Sequence, residues 1–184
     1  MRKALRSLSL AAAFAFGAAS ADQTDPGLDA HFETLRLAPD ETVALEAERS
    51  ITSLWNRGAT PALTSQLAEA RKLIESWSFD QARKLLDELT RRAPRFAEAW
   101  NQRATLHYIE RRYDASLADV AITLKLEPRH FGALAGLGEI RLRLGDLNGA
   151  LTAFESALAV HPRLPGLRNR VEALRAMDAH RAGE

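Results

Sequence analysis

Three observations predict an all-α protein built from repeated helix–turn–helix units. Pro94, Pro128 and Pro162 recur at one fixed interval. Each follows a short apolar helix ending: Leu86 and Leu89, then Leu124 and Leu126, then Leu158 and Val160. Aligning the chain on the prolines brings small residues into one register (Ala70, Ala104 and Gly138; Ala82, Ser116 and Ala150). Large residues align as well: Phe79 with Tyr113 and Leu147, and Leu86 with Val120 and Phe154. Small residues suit close helix approach and large ones fill a core, and unrelated helices would not share that register.

Taken in order, the elements begin with a tripartite leader. Arg2, Lys3 and Arg6 form a basic region, Leu8 to Ala19 an apolar run, and Ala19-Ser20-Ala21 a small-residue cleavage pattern. This is the anatomy of a secretory signal peptide over residues 1–21, cleaved after Ala21. A mitochondrial transit peptide is the competing reading, and the continuous apolar core favours export. The run is too short to span a bilayer, which takes about 20 apolar residues. Residues 22–62 read as a linker and capping helices, opening on a flexible stretch over 22–27. Phe32, Leu35 and Leu37 suggest a short helix. Val43, Ala47, Ile51, Leu54 and Trp55 describe an amphipathic one, from Pro39-Asp40 to Gly58. Thr60-Pro61 supplies an N-cap and a first-turn proline for the repeats.

The three units occupy residues 63–96, 97–130 and 131–164. In the third, Gly145 ends the first helix and Asp146 can cap the second. Ser78 takes the capping position in unit one. Unit two has Arg111-Arg112 there, which predicts a turn less favourable by about 1 kcal/mol. Residues 165–184 form a C-terminal capping helix and tail. Leu164, Leu167, Val171, Leu174 and Met177 lie on its packed stripe, with Arg168, Arg170, Glu172 and Arg175 outward.

The register resembles the tetratricopeptide repeat over residues 63–164. The third unit carries Leu137-Gly138, Ala150, Phe154 and Pro162 of that pattern and departs at Leu134 and Arg141. The second keeps Trp100, Ala104, Tyr113 and Pro128, with Arg103, His107 and Ser116 as departures. The first retains Ala70, Phe79, Ala82 and Pro94. The resemblance implies a right-handed α-α superhelix whose first helices line a concave groove that receives a peptide or helix of a partner. Carried over position by position, the groove comprises Leu67, Arg71, Ile74 and Glu75; Asn101, Thr105, Tyr108 and Ile109; and Ala135, Glu139, Leu142 and Arg143. One subgroup clamps a C-terminal carboxylate with Lys, Asn and Arg. Here Leu67, Arg71, Gly132 and Gly136 stand at those positions, so the clamp is absent. The resemblance also places Trp100 in the core and Trp77 at the turn glycine, where it is partly exposed or fills the core.

Composition narrows the function. Loss of the three leader bases takes the formal net charge from +1 to −2, which advertises neither nucleic acid nor anionic lipid as a partner. Arginine greatly outnumbers lysine, as in GC-rich bacterial coding, so the basic residues carry little functional information. The absence of cysteine excludes disulfides, thiolate metal sites, a cysteine nucleophile and a lipoprotein anchor. No metal site is expected from His31, His107, His130, His161 and His180, whose spacing is not that of ligands. No catalytic motif appears, and none that implies a cofactor. The spacing Gly132-x3-Gly136-x-Gly138 is not that of a dinucleotide fingerprint and reads as close helix packing. The expectation is a non-enzymatic scaffold of the bacterial periplasm, holding a protein or peptide. The alternative is a self-assembling repeat protein, a homo-oligomer joined through its terminal helices. A His107 set in a deep pocket beside a carboxylate would revive an enzymatic reading.

Overall fold

In the computed structural model, residues 25–58 and 60–182 are described; the leader, its cleavage point and residues 22–24 lie outside them. Nine helices follow one another among these residues: α1 (Leu28–Leu37), α2 (Glu41–Asn56), α3 (Pro61–Glu75), α4 (Phe79–Arg92), α5 (Ala97–Ile109), α6 (Tyr113–Leu126), α7 (Phe131–Arg143), α8 (Leu147–Val160) and α9 (Leu167–Ala182). Their ends follow the capping chemistry. The Asp40 carboxylate accepts from the Val43 N–H at 3.0 Å, and the Thr60 hydroxyl from the Leu63 N–H at 3.3 Å. The Asp146 carboxylate accepts from the Gly149 N–H at 2.8 Å. Ser78 precedes α4 without a side-chain cap bond, a departure from its expected role.

Helices α3–α8 pair into three hairpins with one turn geometry. The Ser78, Arg112 and Asp146 N–H groups donate to the carbonyls of Leu73, His107 and Arg141 at 2.8–2.9 Å. Those of Trp77, Arg111 and Gly145 donate to Ile74, Tyr108 and Leu142 at 3.0 Å. This is a Schellman closure repeated once in every unit, and it needs a left-handed residue at its corner. Gly145 has φ +80°, but Trp77 and Arg111 are both held at φ +59°. Trp77 stands 77% exposed, so it fills no core, and its ring centroid lies 5.5 Å from that of Phe79.

The aligned small residues are buried, as their register requires. Ala70, Ala82, Ala150 and Ser116 are at most 1% exposed. A Cβ on Gly138 would collide with the Phe154 ring. Ala70, Ala82, Leu86 and Leu106 pack units one and two together; Ala104, Val120, Ala133 and Ile140 pack two and three. The departures in unit two form a polar layer. Arg103 holds Asp119 through two hydrogen bonds of 2.8 and 2.9 Å and reaches Asp87 at 3.0 Å. The Ser116 hydroxyl donates to the Ala104 carbonyl at 2.7 Å. Trp100 is half-buried rather than central, donating to the Pro94 carbonyl at 3.0 Å beneath the Arg103 guanidinium.

At the C-terminal end, Leu167, Val171 and Leu174 of α9 cover α8, while Met177 is 59% exposed instead of joining them. The α1–α2 hairpin does not cap the other end. It lies along the edge where successive units join. Gly58 abuts Phe96, Trp55 stacks on His130, and Val160 and Leu164 pack against the hairpin core. Phe96, His130 and Leu164 are themselves equivalent positions of successive units. Glu48 meets His161 at 3.2 Å, Asp29 meets Arg129 at 2.6 Å, and Arg163 donates to the Pro39 carbonyl at 2.9 Å. Leu37, on the far side of α1, is exposed.

Under this hairpin lies a buried carboxylate, Glu98. It receives Arg71, Gln102 at 2.7 Å and His130 Nε2 at 2.7 Å. His130 Nδ1 accepts from the Ala133 N–H at 3.1 Å, which assigns the ring proton to Nε2 and makes the ring the N-cap of α7. Burial alone would raise the Glu98 pKa; the His130 hydrogen bond, the electrostatic attraction of His130 and of Arg71, and the Gln102 hydrogen bond outweigh it and hold it at about 2.

Two groups of outcomes are expected, the first at the left-handed corners. Arg111→Gly should raise stability by about 0.5–1 kcal/mol in urea unfolding by relieving a left-handed side chain. Gly145→Ala should lose about 1 kcal/mol, although its Cβ would enter open space. The second concerns pH. Glu98 holds its proton less tightly folded than unfolded, so its stabilisation is complete above the ordinary value of 4.5 and lost as pH falls towards 2. It amounts to about 3 kcal/mol. Glu98→Gln should be less stable than the parent at neutral pH, and the two urea midpoints should converge across that window.

Candidate functional site

The first helices α3, α5 and α7 touch one another in sequence, and the second helices make no comparable contact. That asymmetry bends the stack towards α3, α5 and α7 and makes their outer side the concave one. The edge hairpin and α9 leave a pocket open there, between α5 and α7 with α6 beneath. It has a volume of about 170 Å³. Ala104, Val120 and Ile140 give it an apolar floor; Asn101, Thr105, Tyr108 and Glu139 form a polar rim.

The twelve expected groove residues do not form one surface. Asn101, Thr105, Tyr108 and Glu139 line the pocket. Arg143 stands beside it, its Nε donating to the Tyr108 hydroxyl at 3.2 Å. Leu67 does not face the groove: it is 1% exposed and packs with Leu63, Leu89 and Phe96. Arg71 is held inward by Glu98, and Ile74 joins the core between α3 and α4. Ala135 and Leu142 pack in the cluster that includes α9, and Glu139 pairs with Arg170 of α9 at 2.8 Å. Glu75 and Ile109 are exposed at the ends of α3 and α5. The C-terminal helix thus occupies part of the surface that the repeat pattern assigns to a partner.

Gly132 and Gly136 also line the pocket and were absent from the expected groove. A Cβ on Gly136 would meet no atom within 4 Å; one on Gly132 would meet only its neighbour His130, at 3.5 Å. Of the three glycines read as close packing, only Gly138 serves it. The signal for the other two was present in the sequence, in that glycine stands where the carboxylate-clamping subgroup carries cations.

Catalytic chemistry finds little footing. His107 is buried, 3.7 Å from Asp119 and 3.9 Å from Glu110, and it does not line the pocket. Burial pushes its pKa down, so the ring is neutral at pH 7. Asp119 is already committed to Arg103. Among the described residues, no group of three or more acidic or histidine side chains could hold a metal ion, and no helix is long and apolar enough to cross a membrane.

Known proteins agree with this architecture. The family model for the tetratricopeptide repeat matches residues 67–121 and 102–166. A TPR repeat-containing protein of Rhizobium etli is 34% identical over 135 residues, which is 73% of this chain; the match spans just under two thirds (66%) of the relative. Among solved structures, the first TPR of Spaghetti (RPAP3), bound to an HSP90 peptide, superposes with a TM-score of 0.60 at 16% identity. It covers 64% of this chain and 93% of its own. The Yersinia enterocolitica type III secretion chaperone SycD, in complex with a peptide of the translocator YopD, gives 0.60 at 15% identity over 66% and 96%. At those identities the superpositions establish the fold alone. With its family model matched over more than half its length, this chain is a member of the tetratricopeptide repeat family.

Proposed function

We propose that this protein is a non-enzymatic interaction module that holds a segment of a protein partner in the concave groove between α5 and α7. The observation that carries the reading is the open pocket there, apolar below and polar at its rim, on a face that α1–α2 and α9 leave partly open. Two structural neighbours, SycD and the RPAP3 domain, were solved with peptides bound, which supports a peptide-like partner. The groove is short and partly occupied by α9, so a modest affinity is expected from it alone.

Self-assembly through the terminal helix draws no support from the outer side of α9, where Arg168, Arg170, Glu172 and Arg175 are exposed and Met177 is the sole large apolar residue. Tyr108→Ala combined with Arg143→Glu is the direct test. After crosslinking and affinity purification, the double variant should lose the dominant heterologous partner by about tenfold or more. Retention of every partner at parental levels would refute a groove-mediated interaction.

We place this activity in the bacterial periplasm, on the strength of the basic, apolar and small-residue segments of residues 1–21. Cell fractionation distinguishes the alternatives. The full chain should appear in the periplasm, shortened to begin at Asp22, and a version lacking residues 2–21 should stay in the cytoplasm. An unprocessed cytoplasmic full chain would defeat the assignment.

A further inference from the structure

The pocket has properties that a general peptide groove does not require. Gly136 sits in the middle of α7, where glycine costs about 1 kcal/mol relative to alanine. Glycine is tolerated inside a helix where a neighbour leaves no room for a Cβ, as Phe154 does at Gly138. At Gly136 there is room and no neighbour. No contact among the described residues offsets the cost. What the missing side chain leaves is the pocket itself, bounded below by Ala104, Val120 and Ile140.

Size and polarity limit what fits. A dry apolar cavity of about 150 Å³ is enough to take benzene. At about 170 Å³, this one matches a single bulky side chain and is too small for a helix face with several anchors. No Lys or Arg lines it, and its one charged lining residue, Glu139, is already paired with Arg170. Inside the hole a carboxylate would therefore meet no counter-charge, since Arg143 stands outside the lining, against the Tyr108 hydroxyl. Besides the Tyr108 hydroxyl, which accepts from Arg143 and keeps its own proton, the rim offers acceptors. The Asn101 amide nitrogen is spent on Glu98 at 3.3 and 3.4 Å, which leaves its carbonyl oxygen free. The Thr105 hydroxyl donates to the Asn101 backbone carbonyl at 3.0 Å and keeps its lone pairs. Acceptors around an apolar hole suit the N–H groups flanking a side chain on an extended backbone.

We propose that the pocket between α5 and α7 is a socket for one uncharged, bulky apolar side chain, of the phenylalanine or leucine type, presented on an extended peptide segment of the partner. This inference rests on the groove reading above and specifies its chemistry: where the clamping subgroup fixes a terminal carboxylate with cations, this chain anchors an apolar residue in a glycine-walled hole.

The test uses end-capped pentapeptides of alanine with phenylalanine, leucine, alanine or aspartate at the centre, titrated into the isotope-labelled protein and followed by amide NMR shifts. The phenylalanine and leucine peptides should move the amides of Gly132, Gly136 and Asn101 at about millimolar concentration, and the alanine and aspartate peptides should bind about tenfold or more weakly. Gly136→Leu places its side chain in the open space. It should keep or raise the melting temperature and weaken the phenylalanine peptide by about tenfold. Should the leucine variant misfold, Gly136→Ala should melt higher than the parent and still lose a few-fold in binding. Equal shifts from all four peptides, or unchanged binding in a folded Gly136 variant, would overturn the socket. A response to toluene with none to the peptides would also overturn it, reassigning the hole to small apolar molecules. The groove reading is separable: if the Tyr108/Arg143 double variant loses the crosslinked partner and Gly136→Leu keeps it, the groove stands and the socket falls. If both keep it, both fall.

Discussion

The structure turns on one buried carboxylate. Glu98 begins α5, yet its contacts come from four elements: Arg71 from α3, Gln102 from its own helix, His130 from the head of α7, and through the His130 ring the Trp55 indole of α2 at 4.1 Å. A carboxylate without water is expensive, and a single donor would not compensate it. Here the donors come from three helices: Arg71 from α3, Asn101 and Gln102 from α5, and His130 from the head of α7. The charge therefore penalises any rearrangement that slides one unit past the next, because a slip would strand it. Apolar packing among Ala70, Leu86 and Leu106 tolerates small shifts; the hydrogen-bonded set around Glu98 does not.

This constraint explains the position of the N-terminal hairpin. A capping helix at the first unit would need an apolar outer side on α3, but Ser65, Ala68, Glu69 and Lys72 are not buried there. Water is an adequate neighbour for such a surface. The larger exposed demand is along the row of inter-unit turns, where His130, Phe131 and Leu164 would otherwise meet solvent. Phe32, Ile51 and Trp55 meet that demand. The same placement ties the hairpin to units two and three through Arg129–Asp29 and Glu48–His161, pairs distant in sequence, so the solenoid is stapled along one edge and its curvature is held. In an ordinary repeat stack each unit contacts only its neighbours.

Much of this was legible from residue order. The fixed spacing of the prolines located the hairpins because small residues can repeat in step only where helices meet. Asp40, Thr60 and Asp146 marked helix starts, since a cap is local chemistry. The destination of α1–α2 was not legible. An amphipathic stripe states that a helix must cover something, and Trp55 carries no mark of the histidine it stacks upon, which lies two units further along the chain. Leu67, Ala135 and Leu142 failed as groove residues for a related reason. The pattern assigns them to a face, while the packing of unit one and the arrival of α9 decide whether that face is free. His130 read as a turn residue and proved to be a cap, a ring stack and a proton donor together, a role that exists only once Glu98 and Trp55 are brought to it.

Glycine is missing where backbone geometry favours it and present where geometry does not. Trp77 and Arg111 occupy left-handed corners that Gly145 fills at the equivalent turn, and Gly136 interrupts a helix that alanine would stabilise. These choices run against local propensity by about 1 kcal/mol each. The two kinds of departure differ in what surrounds them. At the corners the backbone is fixed by the Schellman bonds whichever residue stands there, so the strain is absorbed by a closure made three times over. At Gly136 no contact among the described residues takes advantage of the missing side chain, and the space it leaves opens into the pocket between α5 and α7. A fold held by Glu98, His130 and Trp55 at the head of α7 can carry a weakened turn further along that helix, and that turn is the wall of the pocket.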